Sequence, residues 1–182
     1  EKNSYDTICH EHLEYYTIES IILMLEKFDL KIIDIELNSI NGGSFALSVT
    51  HKDCKEYEPN ENYINKLLDK EKSLELSNLL IFREFEKNVL KHKEDLKKLI
   101  NNINNDGKKV FGYGASTKGN VLLQYCGITE NEMPFIAEIN EDKFSSYTPG
   151  TKIPIIPQDE ANKLFPDYYL VLPWHFRNNI LE

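Results

Sequence analysis

The chain has 182 residues, a formal net charge of −9 and a sequence pI near 5.1. With 41% hydrophobic and 11% aromatic residues a packed core can form, which excludes wholesale disorder and suits one ordinary domain or two small ones. The acidity disfavours a nucleic-acid or anionic-membrane partner; no 18-residue apolar run occurs, and no stretch reads as a signal peptide.

Charge is uneven along the chain: residues 1–50 carry −6, residues 51–109 carry +1 and residues 110–182 carry −4. In the first block Thr17, with Glu19 in the following turn, reads as the N-cap of a helix running through Ile21–Phe28. Lys31–Leu37 and Ser44–Thr50 then read as strands. Asn41-Gly42-Gly43 between them is a strong turn signal, so an antiparallel pair preceded by a helix is expected. From Ile64 to Ile103 apolar residues recur three and four apart, which predicts about 40 residues of amphipathic helix. Ser73–Ser77 is the point where it would divide. Lys and Glu fill the opposite face as a solvated surface, and Asn104-Asn105-Asp106-Gly107 stops the helix.

The third block alternates. Lys109–Tyr113 is a short strand, followed by a Gly-Ala-Ser turn and a helix through Val121–Tyr125. Phe135–Ile139, Ile153–Ile156 and Tyr168–Leu172 are further strands, with a short helix from Gln158 before the last. This alternation predicts an α/β fold with a Rossmann-like parallel sheet in the C-terminal part. The expected divisions are 1–55, a helical connector over 56–107, and 108–182.

Three strings carry chemistry. Cys9-His10-Glu11-His12 places two imidazoles and a carboxylate within four residues, a composition suited to proton transfer near neutral pH. The same string also reads as a polar loop, or as half of a zinc site that lacks a third ligand at a familiar spacing. Gly112-Tyr113-Gly114-Ala115-Ser116-Thr117-Lys118-Gly119 follows a strand and opens a helix, where backbone N–H groups, hydroxyls and an ammonium suit a phosphate. It lacks the Walker ending and resembles a dinucleotide turn, with Glu138 placed to hold a ribose; a plain strand–helix turn is the alternative. Asn140 to Gly150, with Lys143, Tyr147 and Pro149, lies where ligands dock at the edge of such a sheet. Trp174-His175 follows the last strand, and a lone Trp is more often a core residue. The cysteines Cys9, Cys54 and Cys126 are odd in number and widely spaced. They build neither a disulfide framework nor a CxxC zinc site, so a reducing cytoplasm is expected and no metal site is predicted.

Taken together, these strings resemble one family. Tyr5-Asp6-Thr7-Ile8-Cys9-His10-Glu11-His12-Leu13-Glu14-Tyr15-Tyr16 resembles the block around the catalytic His-Glu-His of SAM-dependent sugar-nucleotide C-methyltransferases, and Asn41-Gly42-Gly43-Ser44 that family's next block. Gly112–Ser116 with Lys118-Gly119-Asn120, Leu122–Gly127, Tyr147–Gly150 with Ile153-Pro154-Ile155, and Pro166-Asp167-Tyr168 resemble its C-terminal domain. The resemblance implies a three-part enzyme with a zinc module, a SAM-binding Rossmann-like domain and an α/β domain that helps hold a TDP-linked keto-deoxysugar. It implies that His12 removes the proton α to the ketone with Glu11 as acidic partner. Cys9 stands where members often carry Tyr, His175 where Asn is expected and Glu138 where Asp is commoner. The residues expected to bind substrate are Gly112, Gly114, Ala115, Ser116, Thr117, Lys118, Gly119, Asn140, Lys143, Tyr147, Pro149 and Gly150; those expected in catalysis are Cys9, His10, Glu11 and His12.

No Asp-x-Gly-x-Gly-x-Gly loop and no four-Cys module occurs, the chain starts at Glu1 without Met, and Leu181-Glu182 often precedes an affinity tag. It reads as a piece of a longer enzyme: residues 1–55, with their helix and antiparallel strand pair, are what remains of a methyltransferase domain. Such a piece is expected not to transfer methyl by itself. Its SAM loop and zinc cysteines are expected upstream, and its acceptor sugar, stereochemistry and oligomeric state are left open. An independent nucleotide- or NAD-binding module, and an interaction domain working through the helix at 61–105, are the competing readings.

Overall fold

Thr17 caps a helix, as its place ahead of an apolar run predicts, in a computed structural model that describes residues 3–40, 43–76 and 78–181. Its hydroxyl accepts from the Ser20 N–H at 3.1 Å while the Ser20 hydroxyl accepts from the Thr17 N–H at 3.0 Å. This reciprocal box closes the first turn of α1 (Ile18–Glu26). Strands β1 (Leu30–Asn38) and β2 (Ser44–His51) follow as an antiparallel pair, in register from Leu30 opposite His51 to Asn38 opposite Ser44. Asn41 and Gly42 of the expected turn lie outside the described residues.

One irregularity in β1 decides what it buries. The register slips between Ile32 and Asp34, so Ile33 is an extra residue and the alternation changes parity. Ile32 and Ile35, three apart, therefore share a face and are 6% and 2% exposed. They pack with Ile18 of α1 and with Ile64 and Leu67 of α2 (Glu61–Ser73). A two-stranded ribbon is marginal alone, and these helices supply the cover it needs. The helical periodicity is realised in two pieces, α2 and α3 (Leu79–Asn105). Leu74 closes α2 and Glu75 adopts φ +49, within the Ser73–Ser77 break; Ser77 is outside the described residues.

The remaining strands are β3 (Val110–Tyr113), β4 (Ile136–Glu138), β5 (Ile155–Pro157) and β6 (Tyr168–Val171). Helix α4 (Thr117–Cys126) follows β3, α5 (Gln158–Lys163) precedes β6 and α6 (Arg177–Leu181) closes the chain. The four strands form one parallel sheet in the order β5-β4-β3-β6. Val110, Ile136 and Ile155 point to one face, under Leu96 and Ile100 of α3 and Leu123 and Cys126 of α4. Phe111, Ala137, Ile156 and Tyr169 point to the other, with Ala161 of α5. The expected α/β class, a Rossmann-like parallel sheet plus a separate antiparallel pair with helices, is the architecture found.

The chain forms two compact units, one spanning Glu14–Phe85 and the other combining the residues up to Leu13 with those from Glu86 onward. The Cys-His-Glu-His string thus belongs to the parallel-sheet unit. Tyr5, 6% exposed, attaches it. Its hydroxyl lies 2.9 Å from His92 Nδ1 on α3 and 3.5 Å from the Cys126 Sγ at the end of α4, and its ring packs 5.3 Å from that of Tyr125. Burial first, and then the hydrogen bond to Cys126, push the phenol far above its ordinary pKa, and burial likewise raises the Cys126 thiol. Both groups therefore stay protonated. Replacing Tyr5 with Phe keeps the packing but loses the hydrogen bond to His92, at a cost of about 1 kcal/mol. Tyr5→Ala leaves a cavity and costs about 3–5 kcal/mol. Urea unfolding of the parent and both variants reads the two values.

Candidate functional site

The strand order makes β3 and β6 neighbours although they are far apart in sequence, and the connections from β3 and into β6 lie on opposite sides. The crevice at their carboxyl ends is a topological switch point, where ligands of open α/β sheets bind. The loop after β3 carries Gly114, Ala115 and Ser116; the loop after β6 carries Pro173, Trp174 and His175. Gly114 adopts φ +82, and a Cβ there would stand 2.8 Å from Cγ and Cδ of Pro173. A Cβ on Gly119 would meet the Leu172 Cβ at 2.7 Å. These two glycines let the loops touch, while Gly112, inside β3, is pressed against Ile136 and Met133 within the sheet. Ser116 caps α4, its hydroxyl accepting from the Gly119 N–H at 3.0 Å, so the positive end of the helix opens on the crevice.

Glu138, at the end of β4, organises the β3 loop. One carboxylate oxygen accepts from the Ala115 N–H at 2.8 Å and from Lys143 Nζ at 3.3 Å; the other accepts from the N–H groups of Ile139 and Asn140 at 2.8 and 3.0 Å. Lys143 also donates to the Ala115 carbonyl at 2.8 Å. Ala115 is therefore held on both its N–H and its carbonyl, and Lys143 serves the loop. A ribose would have to displace these bonds to reach Glu138, which counts against a dinucleotide reading. Asn140 turns inward to accept from Asp142 N–H, while Tyr147 is 65% exposed. The Pro149 carbonyl accepts from Gln124 Nε2 at 2.8 Å, and Gly150 lies against the same side chain, which docks the Thr-Pro-Gly turn on α4.

The Cys-His-Glu-His string meets this turn. Cys9 and His10 line a cleft of about 690 Å³ together with Thr117, Asn120 and Gln124 of α4 and with Pro149. Three segments that the sequence singles out separately thus share one wall. Glu11 stands 3.9 Å from His10, and both are largely solvent-exposed. Glu11 and His12 continue the string beyond the cleft-lining residues. His12 Nδ1 lies 2.8 Å from the Thr7 carbonyl oxygen. A carbonyl can only accept, so Nδ1 carries a proton, and the tautomer this selects places the lone pair on Nε2.

Behind the β6 loop three more polar side chains converge. Asp6 is 6% exposed and accepts from Trp174 Nε1 at 2.7 Å, so the tryptophan ties the string to the switch point. Lys118 is 8% exposed. Burial, and then the charge of Lys118, depress the His175 pKa against the opposing pull of Asp6, leaving a neutral imidazole. Its Nδ1 is buried without a hydrogen-bond partner among the described residues. Asn120 and Gln124 were not singled out as site residues, yet with Thr117 they form a polar stripe at i, i+3 and i+7 that helical spacing makes readable. Asp6 offered no such signal, since nothing in the sequence marks which carboxylate is buried. Among the described residues no three His, Cys, Asp or Glu side chains converge as a metal site, and no helix is long and apolar enough to cross a membrane.

The Glu138 carboxyl has a definite pH signature. Burial alone raises its pKa, but the N–H groups of Asn140, Ile139 and Ala115 and the Lys143 ammonium outweigh it, so the folded value lies below the ordinary range. Such a group contributes stability that is present above the unfolded pKa and is lost as pH falls through the folded one. Glu138→Gln turns an amide toward backbone donors. It is expected to cost about 1.5–3 kcal/mol at neutral pH and to flatten the acid limb of a stability–pH curve measured by urea unfolding.

Comparison with known proteins covers the parallel sheet and the α4 and Thr-Pro-Gly side of the cleft, while Cys9 and His10 precede the family match. The family described as C-methyltransferase C-terminal domain matches residues 39–182. The C-methyltransferase NovU of Streptomyces niveus is 31% identical over 181 residues, covering 99% of this chain and 42% of that protein. The chain spans about two-fifths of the length of this curated relative. A family match over 144 residues that includes the whole parallel sheet and its switch-point loops establishes the relationship: the chain belongs to the C-methyltransferase C-terminal domain family.

Proposed function

We propose that this chain is the acceptor-side part of a SAM-dependent C-methyltransferase that acts on a nucleotide-linked, TDP-type keto-deoxysugar, with the parallel-sheet unit holding the nucleotide sugar. The observation that carries this reading is the shared cleft, in which Cys9 and His10 face Thr117 and Pro149. The diphosphate is assigned to the N-terminus of α4, where Ser116, Thr117 and Lys118 add hydroxyls and charge to the helix dipole. The buried, unpartnered His175 Nδ1 beside Lys118 supports a polar ligand at the same crevice. The three free cysteines support a reducing, cytoplasmic location.

His12 is the base. With Nδ1–H given to Thr7, Nε2 takes the proton from the carbon next to the ketone, and the C–H electron pair delocalises onto the carbonyl oxygen as an enolate. Glu11 stands beside it in the string as the acidic partner, and donors aimed at the enolate oxygen lower the barrier. The family's methyl donor, S-adenosylmethionine, does not fit the residues described here. The glycine loop is closed by Pro173, and the acid at the end of β4 is fully engaged by backbone N–H groups. Only proton abstraction and acceptor binding are therefore assigned to this chain.

The test is exchange of the α-proton of a TDP-linked keto-deoxysugar in D2O, followed by ¹H NMR without methyl donor. The parent chain should catalyse exchange, and His12→Asn should slow it by about 10²–10⁴-fold. Undiminished exchange in His12→Asn would remove His12 from the role. In calorimetric titration TDP should bind, and Lys118→Ala should weaken it by about tenfold or more, the effect of losing a charge-assisted contact of some 1.4 kcal/mol. NAD binding in place of TDP would instead favour a dinucleotide module.

A further inference from the structure

We propose that Asp6 is a positioning residue for the base, holding the Cys9–His12 string in place through its hydrogen bond to Trp174. The inference rests on His12 being the base, and it concerns a residue outside the catalytic string. Asp6 and Trp174 are 168 positions apart, yet the Oδ2–Nε1 distance is 2.7 Å, and the carboxylate is buried. A buried carboxylate without a donor is costly, so the bond strongly favours one placement of the segment. Trp174 is itself fixed, since it follows Pro173, which is packed against Gly114, and opens a 3₁₀ turn at Trp174–Phe176.

The path from Asp6 to the base is short. The next residue, Thr7, offers the carbonyl that receives His12 Nδ1–H at 2.8 Å. The Thr7 hydroxyl in turn donates to the Ser4 carbonyl at 2.8 Å, and Tyr5 is anchored to His92. Movement of Asp6 therefore moves the carbonyl that sets both the tautomer and the direction of the imidazole. Displacements of about 1 Å far from the reacting atoms cost on the order of 10²-fold in rate.

The experiment uses the 182-residue chain with Asp6→Ala, Asp6→Asn and Trp174→Phe. Imidazole ¹⁵N NMR of His12 should show a single Nδ1–H tautomer in the parent and tautomer averaging in Asp6→Ala and Trp174→Phe. Asp6→Asn, which keeps an acceptor oxygen for Trp174, should retain the parent tautomer. Amide hydrogen exchange at residues 8–13 should rise at least tenfold in Asp6→Ala while that of the β3–β6 amides is unchanged. Trp174, the sole tryptophan, should shift its emission to the red. In α-proton exchange Asp6→Ala should lose about 10²-fold at saturating substrate with TDP affinity within twofold. An unchanged His12 tautomer, or exchange rising equally across the sheet, would overturn the proposal. Should the parent catalyse no α-proton exchange, the reading of His12 as base fails and the positioning role falls with it. A parent that exchanges while Asp6→Ala matches it sinks the positioning role alone.

Discussion

Every functional feature at the carboxyl edge of the parallel sheet depends on how closely the loop after β3 approaches the loop after β6. Gly114 and Glu138 secure that approach from two sides. The glycine gives up its side chain so that Pro173 can close to a distance no Cβ would tolerate, and the carboxylate fixes the next residue by its N–H. With the loop set, Ser116 is in place to cap α4 and the helix starts where its dipole faces the crevice. Trp174 is then presented to Asp6, and the N-terminal string has a surface to lie on. A larger residue at Gly114 would disturb the cap, the tryptophan and the string together.

Burial divides the titratable groups near this crevice into two sets. Tyr5, Cys126 and His175 are kept neutral because charging them inside the protein is unfavourable. Glu138 stays ionised because three backbone N–H groups and an ammonium more than offset its desolvation. Of the neutral set, Tyr5 and Cys126 pack the string against α3 and α4, whereas the ionised carboxylate shapes the loop. The positive end of α4, with Lys118 in its first turn, is where the proposed anionic substrate would meet the crevice.

The parallel sheet, the antiparallel pair and the break between the long helices are legible in the sequence because each rests on local periodicity and turn chemistry. The Thr17 cap is legible too, from its place ahead of an apolar run, and Ser20 completes it as the reciprocal partner. What local pattern could not show was any contact between distant segments. The bulge at Ile33 leaves no mark in Lys31–Leu37, since Ile33 looks as fit for burial as Ile32 and Ile35. Glu138 was readable as an acid at the end of a strand, but its engagement with Ala115 is a tertiary fact that changes its meaning from ribose holder to loop organiser. Asp6 and Trp174 were visible as residues, yet their pairing across nearly the whole chain was not.

The placement of the string has a consequence for chemistry. Cys9–His12 and the N-terminus of α4 belong to the same compact unit, so the distance between the proposed base and the proposed anion site is set within that unit. For the proposed reaction, which begins with removal of a weakly acidic C–H proton, this matters more than the intrinsic strength of the base. An imidazole is a modest base toward carbon, and its effectiveness depends on being held at the right distance and angle before the proton moves. Tyr5 supplies neutral packing for that purpose, Asp6 a directional bond, and the Thr7 carbonyl the choice of tautomer. The three act on consecutive residues, 5, 6 and 7, so a single turn of backbone converts burial in the core into orientation of the His12 ring.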